Sequence, residues 1–194
     1  MIKKTLSMLA LFGLLLLPLS CSKKSDELSD AEVNQIFNVL CLAIDDALSQ
    51  ASASVMTTNG HTANIRHAAV VITRQVNWVG SGKFAGFTVT GHITADTESG
   101  VYDGSYTYYI SQYDASDILK QTVIINYANG QSTFNGQASE QLQFHHAENH
   151  DEFVIVIGTT RYDGSEYYTL DAVGGVVTLH GTIILNGKEY TLSN

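Results

Sequence analysis

The period of the hydrophobic pattern changes once along this 194-residue chain, and that change decides what it can fold into. From Asp30 onward, apolar residues fall at Val33, Ile36, Phe37, Leu40, Cys41, Ile44, Ala47, Leu48 and Ala51. Steps of three and four gather them on one face of a helix. Asn34, Asn38, Asp45, Ser49 and Gln50 take the other side. Ser29-Asp30-Ala31-Glu32 forms a capping box: the serine serves the amide three residues on, and the glutamate reaches back. The spacing predicts a helix from about Asp30 to about Ser54, with Asn59-Gly60 marking its exit.

Beyond Arg66 the period becomes two. Phe87, Val89, Gly91 and Ile93 alternate with Thr88, Thr90, His92 and Thr94. Phe134, Gly136, Ala138, Leu142 and Phe144 alternate with Asn and Gln neighbours, and Val177, Leu179, Gly181 and Ile183 with Thr178, His180 and Thr182. Each stretch reads as a strand with one buried and one wet face. Further strands are expected near 68–79, 101–113, 118–127, 152–159, 166–172 and 188–192. Turns are expected at Gly80-Ser81-Gly82, Glu98-Ser99-Gly100, Asn129-Gly130, Asp163-Gly164 and Asn186-Gly187. The fold expected is α+β and mainly β. One N-terminal amphipathic helix packs on a curved antiparallel meander of about eight or nine strands. Gly91, Gly136 and Gly181 on the apolar parity suggest the curvature. Tyr102-Asp103-Gly104-Ser105 recurs as Tyr162-Asp163-Gly164-Ser165, which reads as related hairpins or as turn chemistry used twice.

The first residues report location. Lys3 and Lys4 precede an apolar run from Leu6 to Leu19, which ends at Ser20-Cys21. The run is shorter than the about 20 residues that cross a bilayer and has the layout of an export signal. Its end resembles the lipobox of bacterial lipoproteins; Ser20 fits that pattern, while Pro18 and Leu19 depart from it. The resemblance implies cleavage before Cys21, diacylation of Cys21, and, with Ser22 next, passage to the outer membrane. The alternative is an ordinary secretory signal cut near Ser22. The expected organisation is a signal peptide over 1–20, an anchor cysteine and polar tether over 21–29, and one domain over 30–194.

Composition narrows the partners. Losing Lys3 and Lys4 with the leader takes the net charge from −9 to −11. That excess argues against nucleic acid and anionic lipid headgroups, both of which need a positive surface. Only Cys41 remains beside Cys21, so the mature chain has no pair for an internal disulfide. Cys41 sits on the apolar helix face and reads as a buried small hydrophobe.

Candidate chemistry is sparse. His145-His146-Ala147-Glu148-Asn149-His150-Asp151-Glu152 is the densest polar cluster. His146 and His150 are weak metal candidates in what reads as a strand end and turn, so no metal or other cofactor is expected. Arg74 and Glu140 fall on apolar parity, where a charge must be paired, placed at a rim or poised in a cavity, unless a bulge turns it outward. Tyr102, Tyr106, Tyr108 and Tyr167 are candidates for an interaction surface toward protein or glycan. Phe87, Val89, Phe134, Leu142 and Phe144 would line a cleft if helix and sheet enclosed an apolar ligand. No nucleophile elbow or phosphate-binding loop is present. The leading expectation is a lipid-anchored cell-envelope protein with a non-enzymatic interaction or scaffold role. A periplasmic carrier of an apolar ligand and an envelope hydrolase are the alternatives.

Overall fold

A computed structural model describes residues 28–57, 71–137 and 145–194. Cys21, Asn59-Gly60, Ala138, Glu140, Leu142 and Phe144 lie outside them. Helix α1 spans Asp30–Thr57. The capping box forms as expected: the Ser29 amide donates to Glu32 Oε2 at 2.8 Å, and the Glu32 amide to Ser29 Oγ at 3.3 Å. The strands are β1 (Val71–Val79), β2 (Phe87–Asp96), β3 (Val101–Ile110), β4 (Tyr113–Asp114), β5 (Val123–Gln137), β6 (His146–Ile157), β7 (Thr160–Val173), β8 (Val176–Leu185) and β9 (Lys188–Ser193), with a four-residue helix, Ser116–Leu119, before β5. They form one antiparallel sheet in the order β1-β2-β3-β5-β6-β7-β8-β9, with β4 pairing β5. The sheet is not closed, and the fold is the mainly-β meander with an N-terminal helix that the periodicity implied.

The helix shows how tightly the sheet wraps it. Val33, Phe37, Leu40, Ile44, Leu48 and Ala51 are buried, and so are Val39, Ala43 and Cys41 on either side of that stripe. At 100° per residue these positions cover more than half of the helix circumference. A flat sheet would bury a narrower stripe, so the sheet curves around α1.

Two turn expectations are corrected. Asn129-Gly130 lies inside β5 and Asp163-Gly164 inside β7. Strand pairing continues through both, because each glycine leaves space for a large neighbour and not for a reversal. The chain reverses instead at Gly158 and at Gly174-Gly175, all with positive φ. The repeated Tyr-Asp-Gly-Ser is therefore a strand device. Gly104 pairs Phe134 and Gly164 pairs Phe153. A Cβ would stand 2.5 Å and 2.8 Å from those ring carbons, so each ring lies over the glycine backbone opposite.

Candidate functional site

Register places the inner-face side chains in rows. One row crosses the sheet through Trp78, Val89, Tyr108, Gly130, Asp151, Glu166, Ile183 and Tyr190. Gly130 puts no side chain between Tyr108 and Asp151. A Cβ there would lie 1.8 Å from Asp151 Oδ1 and 2.7 Å from the Tyr108 oxygen. Through that opening the Tyr108 hydroxyl donates to Asp151 Oδ1.

Asp151 and Glu166 stand opposite each other on β6 and β7, each 2% exposed. Apart from each other, Asp151 Oδ2 and both Glu166 carboxyl oxygens have no hydrogen-bond partner among the described residues. Two carboxylates so placed cannot both be ionised cheaply. One proton held by Glu166 and donated to Asp151 would relieve both. Burial pushes Glu166 well above the carboxylate range, and the charge of Asp151 pushes it further. Burial also lifts Asp151 to about 7, against the hydrogen bond from Glu166 that favours its charged form. On the adjacent row lie Ser132, Asn149 and Tyr168. Asn149 is 4% exposed, and its Nδ2 has no acceptor among the described residues. All of these side chains are buried.

Tyrosine hydroxyls fasten α1 along its length. The Leu28 amide donates to Tyr190 Oη at 3.0 Å. Cys41 Sγ lies 3.5 Å from Tyr168 Oη, and Phe37 meets the Tyr168 ring edge-on at 5.1 Å. Ser52 Oγ and Tyr106 Oη are 2.8 Å apart. Burial raises Cys41 and Tyr168, and lifts Tyr106 to about 12, so all three stay protonated at neutral pH.

The outer face is different in kind. One of its rows runs Asn77, Thr90, Thr107, Gln131, His150, Tyr167, Thr182 and Thr191. Beside it, a groove of about 240 Å³ is lined by Thr107, Asn129, Gly130, Gln131, His150 and Glu152. Tyr109 and Tyr167, 44% and 45% exposed, stand opposite its lining residues Asn129 and His150 on the neighbouring strands. Tyr127 braces Tyr109 edge-on at 5.8 Å, and His150 meets Tyr167 at 6.5 Å.

The candidate residues therefore separate. Tyr102, Tyr106 and Tyr108 are 7%, 1% and 2% exposed. Their expected role as a surface is corrected, because odd and even positions of β3 face opposite ways and theirs faces α1. Tyr167 alone of the four is open to solvent. Phe87 and Val89 are buried, with Phe87 held edge-on by Phe84 and Tyr113. Phe134 is half-buried and stacks on Tyr106 at 5.4 Å. The segment around His150 is strand, not turn, so its polar run splits between faces. Asn149 and Asp151 turn inward; His146, Glu148, His150 and Glu152 turn outward. His146 Nδ1 pairs Asp171 at 2.7 Å. Four residues along a strand hold His146 and His150 about 13 Å apart, and no group of three or more metal-ligating residues forms among the described residues. Arg74 keeps inward parity at the half-exposed rim of β1, whose register is unbroken; the bulge is in β5, between Ile125 and Tyr127. The inward carboxylates are Asp151 and Glu166, which alternation with Phe153 and Tyr168 signals once β6 and β7 are given their full lengths. No protein-family model, curated protein or solved structure matches the chain, so the site is read from its own chemistry.

Proposed function

We propose that this chain is a lipid-anchored protein of the cell envelope with a non-enzymatic interaction or scaffold role. It is held at the outer membrane through Cys21 and meets its partner with the outer face of the sheet. The observation that carries this reading is the unequal use of the two sheet faces. Helix α1 occupies the inner face, where Phe87 and Val89 are buried among protein atoms. The outer face is polar and bears the exposed Tyr109 and Tyr167. No helix among the described residues is long and apolar enough to cross a membrane, which suits attachment by a lipid on Cys21.

Metabolic labelling with a tritiated fatty acid tests the anchor. The label is expected on the native chain and lost in Cys21→Ser, which should move from the membrane fraction to the soluble one. An unlabelled native chain would overturn the anchor. Organic extraction and mass spectrometry of the purified protein test the filled inner face. A stoichiometric apolar molecule would replace the scaffold reading with a carrier.

A further inference from the structure

We infer that the groove between Tyr109 and Tyr167 on the outer sheet face is a binding site for a neutral oligosaccharide. This rests on the reading of that face as the contact face. The groove offers two amides, Asn129 and Gln131, a hydroxyl at Thr107, an imidazole at His150 and a carboxylate at Glu152. Sugar hydroxyls donate and accept at once, and Asn, Gln and Thr do the same. At Gly130, an inward-facing position, the groove floor is backbone, so a flat ring can lie on it.

The flanking tyrosines supply the second half of sugar recognition, a planar surface for the C–H face of a pyranose ring. Both are held before any ligand arrives. Tyr127 braces Tyr109, and His150 braces Tyr167. The Tyr167 hydroxyl is also hydrogen-bonded to Glu148. Rigid aromatic groups lose little entropy on binding. Tyr109 is on β3 and Tyr167 on β7, three strand spacings away through β5 and β6. With the two-residue offset between Ser165, in the row of Tyr109, and Tyr167, that is about 16 Å, the reach of a short chain of sugars and not of one ring.

Charge selects the class. Glu152 lies in the groove and Glu148 beside Tyr167, on a chain of net charge −9. A phosphorylated or carboxylated glycan would be repelled. The hydrogen-bonding lining is wrong for an acyl chain. A peptide strand would seek the end strands of the sheet, β1 and β9 among the described residues.

The test is calorimetric titration of the full chain, held in a zwitterionic detergent free of sugar, with maltohexaose, cellohexaose and hexa-N-acetylchitohexaose, and with polygalacturonate as the acidic control. At least one neutral probe should bind. Tyr167→Ala and Tyr109→Ala should each weaken it by about tenfold or more, while Tyr109→Phe, which keeps the ring, should not. Both alanine variants should keep the native far-UV spectrum, since both residues are exposed. Binding of the acidic probe alone, binding unchanged in both alanine variants, or no neutral probe bound at about 10 mM overturns the proposal. Photo-crosslinking from position 167 in cells separates this failure from that of the broader reading. A protein partner captured there without sugar binding would leave the contact face standing and remove the glycan. Neither sugar nor partner would remove both.

Discussion

Tyrosine meets carboxylate on both faces of this sheet, with opposite consequences. Tyr108 donates to Asp151 on the inner face, where both are buried. Tyr167 bonds Glu148 on the outer face, where Tyr167 is 45% exposed. Water can replace the outer pair at little cost. Nothing replaces the inner one, because the opposing strand offers only another acid, Glu166. The same two residue types thus build a buried acid pair with a tyrosine donor under the helix and a solvent-facing polar pair on the opposite face. What separates them is strand parity, since Glu148 and Asp151 are three residues apart on β6.

The largest effect should come from closing the opening that the inner pair uses. Gly130→Ala would place a Cβ 1.8 Å from Asp151 Oδ1 and 2.7 Å from the His150 carbonyl oxygen. Neither can retreat without breaking the Tyr108 contact or the β5–β6 pairing. A loss of about 3 kcal/mol is expected in urea unfolding. A variant as stable as the parent would show that the row is loosely packed.

The acid pair should respond next, through pH. Asp151 and Glu166 bind protons more tightly folded than unfolded. Between the ordinary carboxylate range, about 4, and about 7, the folded chain therefore holds more protons than the unfolded chain, and stability falls as pH rises. Asp45, lifted to about 7 by burial and by neighbouring Asp46, contributes with the same sign. Glu166→Gln supplies a permanent donor to Asp151 and removes one of the two acids. It should stabilise the fold by on the order of 1–3 kcal/mol at pH 7.5, change little near pH 4.5, and flatten the slope between. Equal slopes for parent and variant would mean that the pair does not share a proton. Tyr108→Phe should act oppositely. Without its donor the charged form of Asp151 is less favoured, so the cost, about 1–2 kcal/mol, should be greatest at the high end of that range.

Much of this architecture was legible in the residues. The switch from helical to alternating spacing named the helix, the capping box placed its start at Asp30, and Asn186-Gly187 and Ser99-Gly100 gave true turns. The acid pair was not legible in the same way, because two turn signals were false. Reading Asp163-Gly164 as a reversal cuts β7 before Glu166 and hides that Tyr162, Glu166, Tyr168 and Leu170 share one parity. Reading the histidine-rich run as a turn likewise hides the parity of Asn149, Asp151 and Phe153. Asn-Gly and Asp-Gly favour turns through local backbone freedom. Here that preference lost to a tertiary need for space beside Asp151 and Phe153. The inward tyrosines were misjudged for a related reason. Tyrosine suits both a surface and a core, and only the position of α1 decides that Tyr106 meets Ser52 and Tyr190 meets Leu28.

The smallest effect should fall on the outer pair, and it sharpens the comparison from the other side. The hydrogen bond and charge of Glu148 hold the Tyr167 hydroxyl above its ordinary value. Glu148→Gln removes the charge, so Tyr167 should ionise at lower pH, visible as an earlier rise in tyrosinate absorbance. The buried tyrosines, with Tyr106 lifted to about 12, should ionise later and leave that first rise to exposed groups. The melting temperature should stay that of the parent, since a bond at the surface is exchanged for one to water. A clear loss of stability in Glu148→Gln would mean that the outer row is held as firmly as the inner one, and that the two faces differ less than their exposure implies.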